Sequence, residues 1–435
     1  MYLNELIKFV GDLSFGQVLA YFWPFFIIDM FRYVLLDAFL AITYIPLWKK
    51  RAPARLAARK RLFKEAPLVS VLVPGKNEGR HMEKLTHSLL SQSYKNIEII
   101  VVDDASDDHT EVLCRRLEAE GRITTFIRNK VRGGKASAAN TALSYARGEY
   151  VLHIDADSYL QANSIETILI PFYLDPNVGV VGGDVRVANI DESLITSLQA
   201  IEYMKTVSTG RTVLSMLGIL RIVAGAHGMF RRDLLDRLKG WDVGPGLDGD
   251  ITLKIRKLGY RVVHEPHAIC YTNVPETPRK LAKQRYRWDR SLIRFRVRKH
   301  GDLLMPSANF RFSNFISSLD NIFFNLLLDL KWVVYIAQIF FFNAALLEFI
   351  FIINFVLYML ANFVEYFVAR YLFSSTVRPS DKRLLLFVPL MPLYTGLFIR
   401  LVRTYAYVME LLHRTSYSDQ WNPWKVSKVA KRERL

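Results

Sequence analysis

Long apolar stretches at the two ends of the chain bracket a central segment in which apolar residues come in short runs. Residues 18–48 are apolar and aromatic, and so are residues 314–364 and those from Leu384 onward. A stretch of about 20 apolar residues can cross a hydrocarbon core of about 30 Å. The chain of 435 residues is therefore predicted to hold a soluble unit between membrane segments.

The first apolar stretch carries charges in its interior. Asp29, Arg32 and Asp37 interrupt residues 18–48, and charges at mid-depth of a bilayer are costly unless they face protein or water. We expect one tilted span here, with a re-entrant or interfacial segment followed by a shorter span as the alternative. No small-residue cleavage site follows this stretch, so it does not resemble a signal peptide.

The pattern of the C-terminal third predicts two antiparallel spans. It also predicts a third apolar stretch, for which there are alternative paths through the membrane. Residues 314–342 and 344–364 are joined by a connection too short for anything but a hairpin. The apolar stretch from Leu384 is broken by Pro389 and Pro392. A single crossing would place the basic tail outside, whereas a re-entrant helix, or a span followed by an interfacial helix, would keep it inside.

The net charge is strongly positive and lies beside the apolar stretches. Lys and Arg number 58 against 41 acidic residues, a formal net charge of +17. Much of the excess lies in residues 49–64, 285–298 and 425–434, as expected for basic flanks that stay in the cytosol. No nucleic-acid-binding module accompanies the charge, so we expect membrane lipids rather than nucleic acid as partners. The central segment is therefore predicted to be cytoplasmic.

Between residues 67 and 300, short apolar runs alternate with polar helical stretches. Residues 69–74, 97–102, 123–127 and 150–154 have strand patterns, and residues 82–92 and 110–120 have apolar positions at helical spacing. This alternation predicts an α/β fold with a Rossmann-like, mostly parallel sheet. The predicted segments are an N-terminal interfacial or transmembrane segment (1–48), a basic cytosolic linker (49–66), the sheet domain (67–300), C-terminal transmembrane and interfacial helices (301–412) and a basic tail (413–435).

Acidic side chains follow three of the predicted strands. Glu78 follows the first strand, Asp104 the second, and Asp155 and Asp157 the fourth. In open parallel sheets ligands bind at the carboxyl ends of the strands. Carboxylates that converge on one sheet edge repel one another, and a divalent cation is the economical compensation. The alternative is that these residues form solvated turns and helix caps.

These acids belong to an ordered series of motifs between residues 69 and 288. The motifs are VSVLVPGKNE (69–78), VVDD (101–104), Gly134-Lys135 with Asn140, DAD (155–157), DGD (248–250) and QRYRW (284–288). The series resembles the family 2 glycosyltransferases of the GT-A fold, and specifically their membrane-integrated processive branch. That branch includes bacterial synthases of poly-N-acetylglucosamine, chitin oligosaccharides, hyaluronan and cellulose. No single motif is diagnostic, but six in this order are.

The resemblance implies roles for the acids and for one lysine. Asp104, with Glu78 nearby, would contact the uracil or ribose of a UDP-sugar, and Lys135 would contact the nucleotide-sugar. Asp155 would face the donor and, with Asp157, the Mg²⁺ or Mn²⁺ that bridges the diphosphate. Independently of the resemblance, a lysine after two glycines at a predicted helix start suits anion contact through its charge and the helix dipole. The alternative is an exposed surface lysine.

Inverting glycosyl transfer needs a base that removes the proton of the acceptor hydroxyl. In the family this base is an Asp ahead of a hydrophobic helix, and counting back from Gly259 assigns it to Asp248. Leu247 stands where the family usually has an acid, so Asp250 is the alternative base. Either Asp is also suited to capping the helix that is predicted to follow.

The last motif distinguishes chain-building synthases from transferases that add one sugar. The resemblance implies that Gln284, Arg285, Arg287 and Trp288 contact substrate. Arg287 can offer a planar fork to the departing diphosphate, and Trp288 offers an apolar face on which a sugar ring can stack. The alternative is an amphipathic helix at the membrane surface, with Trp at the interface and Arg on lipid phosphate.

Two further places are candidate functional positions. Residues 224–232 (AGAHGMFRR) stand where the family has a small-residue stretch along the acceptor pocket, with helix–loop packing as the alternative. His264 and His267 lie in or after a strand predicted at 261–264. Either is a candidate metal contact, with a core or surface position as the alternative.

The expected function is that of a processive inverting hexosyltransferase in the bacterial plasma (inner) membrane. It would polymerise a UDP-GlcNAc or UDP-glucose type donor onto a growing polysaccharide acceptor and pass the β-linked exopolysaccharide across the membrane. An accessory membrane or periplasmic subunit is a candidate partner. The alternatives are a single-addition transferase with a lipid-linked acceptor and a catalytically inactive glycan- or nucleotide-binding membrane subunit.

Overall fold

The computed structural model describes residues 2–242, 246–305, 310–373 and 379–418, and its centre is an eight-stranded mixed sheet. The strands, in chain order, are β1 (Val69–Gly75), β2 (Ile97–Asp103), β3 (Thr125–Arg128), β4 (Tyr150–His153), β5 (Ser158–Leu160), β6 (Val178–Val187), β7 (Gly228–Arg231) and β8 (Arg261–Thr272). Their order across the sheet is β3-β2-β1-β4-β7-β6-β8-β5.

The parallel part of the sheet places three strand ends at one edge. β1 pairs in parallel with β2 and β4, and β2 with β3, while β7 runs antiparallel to both β4 and β6. β8 is parallel to β6 and antiparallel to β5. The predicted α/β fold with a Rossmann-like, mostly parallel sheet is confirmed, and β7 and the edge strand β5 add the antiparallel pairings.

The N-terminal residues are helical almost throughout. The elements are α1 (Tyr2–Asp12), α2 (Phe15–Trp23), a π-helical segment (Pro24–Leu35) and α3 (Leu36–Glu65). Residues 49–65 of the predicted basic cytosolic linker (49–66) lie in α3. Arg55 of this helix donates to Oε2 of Glu265 at 2.8 Å, and Arg59 donates to both carboxylate oxygens of Glu166 at 3.1 and 3.2 Å. These ion pairs dock α3 on the sheet domain.

Helices cover both faces of the sheet. They are α4 (Gly79–Leu90), α5 (Thr110–Ala119), α6 (Lys135–Tyr145), α7 (Ser164–Leu174), α8 (Leu194–Tyr203), α9 (Gly210–Met216), α10 (Arg232–Leu238), α11 (Leu247–Lys257) and α12 (Pro278–Leu292). Short 3-10 and π-helical segments occupy Ile190–Glu192, Met204–Thr209, Ile293–Lys299 and Gly301–Leu304. One apolar layer contains Leu85 and Ile168, and the other contains Ala139 and Ile255, all fully buried. Burial of both faces explains why the central strands are almost uniformly apolar.

The C-terminal part is a bundle of apolar helices. It comprises α13 (Phe312–Ile322), Phe323–Leu327, α14 (Leu328–Phe342), Ala344–Leu346, α15 (Leu347–Leu372), Pro379–Leu390, α16 (Met391–Leu393), Tyr394–Ile399, α17 (Arg400–His413) and Thr415–Ser418. Within the described residues three continuous helical stretches are long and apolar enough to cross a membrane: Phe312–Phe342, Ala344–Leu372 and Asp381–His413. The first two form the predicted hairpin. The basic residues 425–434 lie outside the described part of the chain.

The N-terminal stretch is not among these three, but its charges are paired within the protein. Lys331 of α14 lies 3.0 and 3.2 Å from the two carboxylate oxygens of Asp29, which also accepts from the hydroxyl of Tyr358 at 2.5 Å. Arg32 donates to Asp37 at 3.3 Å. Because these charges face protein, residues 18–48 meet the condition under which ionisable groups are tolerated at membrane depth.

Candidate active site

The acids that follow β1 and β4 lie against each other. A Cβ placed on Gly75, the last residue of β1, would lie 3.2 Å from Cβ of Ala156 and 3.3 Å from Cγ of Glu78. Ala156 stands between Asp155 and Asp157, so the loop after β4 packs directly on the loop after β1. The shared edge of the parallel strands thus brings together the acids that the sequence separates.

The carboxylate of Asp104 holds the loop that leads into α6. It accepts hydrogen bonds from the backbone N–H of Gly133 at 2.8 Å and of Gly134 at 2.7 Å, and from the side-chain amide of Asn129 at 3.1 Å. Gly134 has a φ of +88°, a conformation that glycine adopts without strain. Asp104 is buried, and it fixes the backbone immediately before Lys135.

Lys135, the first residue of α6, interacts with the acids that follow β4 and with Asp248. Its ammonium forms an ion pair with Oδ1 of Asp155 and lies within electrostatic range of Asp157 and Asp248. Burial alone would lower the pKa of Lys135, but Asp155 and Asp248 raise it above its usual value. Lys135 is therefore charged at neutral pH.

Burial, and after it mutual repulsion, raises the pKa of two further acids at this edge. Burial and the charges of Asp157 and Asp155 raise the pKa of Glu78 to about 8. Burial and the charge of Asp155 likewise raise the pKa of Asp157 to about 6. For Asp155, burial is outweighed by Lys135, and its pKa lies below its usual value. The edge carries more negative charge than its own lysine compensates.

Asp248 lies in the first turn of α11 and packs on a glycine. A Cβ on Gly225 would be 2.5 Å from Oδ1 of Asp248, so a larger residue at position 225 would displace the carboxylate. The carbonyl of Gly225 accepts a hydrogen bond from Nδ1 of His153 at 2.5 Å. The predicted small-residue stretch at 224–232 thus borders Asp248.

Asp250, the alternative base, lies in a separate ion-pair cluster. Its Oδ1 is 2.7 Å from Nε2 of His300 and 2.9 Å from the ammonium of Lys299, and its Oδ2 is 3.5 Å from Lys254. Burial raises the pKa of Asp250, but His300 and Lys299 hold it well below its usual range. A carboxylate bound in this way is a weak proton acceptor.

The residues of the last motif lie on α12 and differ in their surroundings. Trp288 is 41% exposed, and Oε1 of Gln284 is buried with no hydrogen-bond partner in the described part of the chain. Arg287 is close enough to Asp155 to lower the pKa of that carboxylate. Arg285 is buried, and its guanidinium donates to Oε2 of Glu202 at 2.8 Å. Arg285 is thus engaged in an ion pair inside the protein.

Of the candidate histidines, His264 is buried and His267 is half-buried. Nε2 of His264 lies 4.0 Å from Oδ1 of Asp184, and the ring of His267 packs at a tilt against that of Trp48 with 4.2 Å between centroids. Burial lowers the pKa of both histidines to about 4. His264 therefore matches the core alternative, whereas His267 is a partly exposed residue packed on Trp48.

Three residues near the site carry no motif signal. His153 is buried within electrostatic range of Lys135 and Asp248, and burial lowers its pKa, so the ring is neutral. Glu202 and Tyr394 reach the last motif from α8 and from the C-terminal apolar stretch. His153 could have been found from the sequence because it is a polar residue at the end of a predicted strand. Glu202 and Tyr394 could not, because nothing in the sequence indicates that their segments contact α12.

The donor set at the edge fits a hard divalent cation only in part. The described residues include no group of three or more His, Cys, Asp or Glu side chains close enough to hold a metal ion. Asp155 and Asp157 supply two oxygen ligands and the negative charge that such a cation relieves. Its other ligands would then be phosphate oxygens and water. The site fits a metal that binds together with a diphosphate.

Comparison with known proteins identifies the domain. Residues 70–239 match the model of glycosyl transferase family 2. These residues form a family 2 glycosyltransferase domain. The domain is similar to the poly-beta-1,6-N-acetyl-D-glucosamine synthases of Staphylococcus epidermidis (29% identical over 242 residues, 55% of this chain and 58% of that one) and S. aureus strain COL (29% over 222 residues, 51% and 53%). The chain thus spans somewhat more than half the length of these relatives.

A solved structure supports the fold of this domain. The mannosyltransferase PcManGT from Pyrobaculum calidifontis, in complex with GDP-Man and Mn²⁺, superposes with a TM-score of 0.52 and 23% identity over 87% of this chain and 99% of that one. At this identity the likeness shows the fold alone. The predicted GT-A fold and the resemblance to membrane-integrated family 2 glycosyltransferases are confirmed.

Proposed function

We propose that this glycosyltransferase is an inverting enzyme that transfers a hexose from a UDP-sugar, of the UDP-GlcNAc or UDP-glucose type, to a growing polysaccharide. The observation that carries the proposal is the position of Lys135. Its ammonium pairs with Asp155 and lies within electrostatic range of Asp248, so the donor-side acids and the proposed base border one space.

On the donor side, the chain's own residues would bind and orient a nucleoside diphosphate. Asp104 fixes the Gly133-Gly134 loop, which places Lys135 at the start of a helix where backbone N–H groups also favour an anion. Glu78 and Asp104 would face the nucleoside. Bound with the diphosphate at Asp155 and Asp157, Mg²⁺ or Mn²⁺ would supply charge neutralisation of the leaving group.

On the acceptor side, Asp248 would accept the proton of the attacking hydroxyl. The small residues around Gly225 leave its carboxylate accessible, whereas Asp250 is bound by His300 and Lys299. Arg287, near Asp155, would meet the phosphates as negative charge develops on them. The exposed indole of Trp288 would stack on the acceptor sugar, with Gln284 as a polar contact.

The product we propose is a β-linked exopolysaccharide, made at the cytoplasmic face of a bacterial plasma membrane and passed outward. The names of the staphylococcal relatives support polymer synthesis, and the three apolar helical stretches support membrane insertion. Polymer export, the accessory subunit and the side on which the tail lies remain predictions.

The test is release of UDP from purified protein in lipid nanodiscs with a panel of UDP-sugars and with Mg²⁺ or Mn²⁺. Linkage-specific hydrolases would then identify the product. We expect a ladder of polymer that D248N abolishes while UDP binding persists. A single added sugar would support the lipid-linked alternative, and unchanged activity of D248N would refute the base assignment. Binding of UDP without turnover by any donor would support an inactive binding subunit.

A further inference from the structure

The carboxylate of Glu202 joins the last motif to the C-terminal apolar stretch. Its Oε2 accepts from the guanidinium of Arg285 at 2.8 Å and from the hydroxyl of Tyr394 at 2.8 Å. Glu202 lies near the end of α8, Arg285 lies on α12, and Tyr394 belongs to the helical stretch Asp381–His413. Three segments that are distant in sequence therefore meet at one carboxylate oxygen.

The guanidinium held by Glu202 also stacks on the exposed tryptophan. The central carbon of Arg285 lies 4.6 Å from the ring centroid of Trp288 and 6.0 Å from that of Tyr203. A planar guanidinium on one face of an indole leaves the other face open. Because Arg285 is buried while Trp288 is 41% exposed, the arginine supports the ring from the protein side.

We propose that Glu202, Arg285 and Tyr394 form a positioning unit that fixes the plane of Trp288 and ties it to the C-terminal apolar stretch. The role of Trp288 as the acceptor platform rests on the proposed function. None of the three is a catalytic residue. Glu202 and Tyr394 act through Arg285, and Arg285 acts through the indole, so the unit sets affinity for the acceptor glycan rather than for the nucleotide.

Glu202 holds Arg285 in place because burying a cation without a counter-ion costs free energy. Without the Glu202 carboxylate, Arg285 would be buried without its counter-ion, and a charge in that state moves toward water. Lysine at position 285 would keep the charge but lose the planar face. Tyr394→Phe would remove one hydrogen bond to Glu202 and leave the ion pair.

A substrate-free experiment tests the positioning directly. Acrylamide quenching of Trp288 is obtained as the difference between each protein and its Trp288→Phe version. We expect Glu202→Gln to increase quenching of Trp288, and Tyr394→Phe to increase it less. Glu166→Gln, which breaks the ion pair with Arg59, is the matched control and should leave Trp288 unchanged. Unchanged quenching in both Glu202→Gln and Tyr394→Phe would overturn the proposal.

Kinetics with a soluble β-linked N-acetylglucosamine pentasaccharide test the consequence. Loss of a charge-assisted hydrogen bond should raise the acceptor KM about tenfold in Glu202→Gln, with the KM for the UDP-sugar unchanged. Arg285→Lys should behave like Glu202→Gln. In a Trp288→Ala background Glu202→Gln should add nothing, because both act through the same ring.

The two experiments separate the possible failures. Equal rises in both KM values, or an undiminished Glu202→Gln effect in the Trp288→Ala background, would show a merely structural ion pair and overturn the positioning unit. If the wild-type protein turned over no UDP-sugar, the proposed function would fail, and quenching alone would decide on the unit. If Glu202→Gln did not fold, Tyr394→Phe would decide in its place.

Discussion

Nε2 of His300 lies 2.7 Å from Oδ1 of Asp250, in the interior of the protein. The contact binds one of two aspartates that stand two positions apart on α11. The other, Asp248, packs on Gly225 and lies within electrostatic range of Lys135. The two residues are therefore expected to respond to the same substitution in different ways.

Asp250→Asn should lower stability, and Asp248→Asn should lower activity. Loss of a buried charge that pairs with His300 and Lys299 should cost about 2–4 kcal/mol of unfolding free energy. Loss of a general base should reduce kcat by at least about 100-fold with no change in melting temperature. Thermal unfolding and UDP release measure the two effects. Asp236→Asn, at an exposed ion pair, is the control for both, and the reverse pattern would contradict the assignment.

Asp104→Ala should weaken binding of the donor. Without its carboxylate, the N–H groups of Gly133 and Gly134 lose their acceptor and the loop before Lys135 is released. Loss of these two hydrogen bonds should raise the KM for the UDP-sugar at least about tenfold and leave the acceptor KM unchanged. Donor titrations at fixed acceptor concentration measure this. Asp107→Ala removes an exposed acid from the same loop region and should leave the donor KM as it is.

Glu78 should make the metal-free protein less stable as pH rises. Folding raises the pKa of Glu78 from 4.5 to about 8, so the folded protein holds its proton more tightly than the unfolded chain does. The resulting stabilisation is complete below about pH 4.5 and is lost as pH rises through about 8. Melting temperatures between these pH values, with chelator present, should fall less steeply in Glu78→Gln. An identical slope in both proteins would contradict the prediction.

Arg55→Ala should loosen α3 from the sheet domain. The substitution leaves Glu265 buried without its partner at 2.8 Å, at a cost of about 3 kcal/mol. Proteolysis within residues 49–65 and the melting temperature in nanodiscs measure the effect. Glu265→Gln in the same chain should recover part of the loss because it removes the unpaired charge. Arg61→Ala breaks an exposed pair and should cost less than about 0.5 kcal/mol.

Much of the sheet could be predicted because its strands carry strong local signals. β1, β2 and β4 are short apolar runs that end in polar residues, and parallel pairing then requires their acids to share an edge. β7 has only four residues, Gly228–Arg231, and its antiparallel place between β4 and β6 depends on partners far along the chain. Residues 49–65 read as a linker because their charge pattern does not reveal that Arg55 and Arg59 meet acids of the sheet domain.

The sequence by itself determined the fold class, the family of the domain and the order of its motifs, since these follow from periodicity and residue type. Tertiary structure alone decided which surroundings, and therefore which role, each residue within a motif has. Asp248 and Asp250 differ by about 200° around a helix, so one can lie within electrostatic range of Lys135 while the other meets His300. Arg285 lies inside because Glu202, remote in sequence, supplies the counter-charge that a buried guanidinium needs, and Tyr394 donates a hydrogen bond to the same carboxylate.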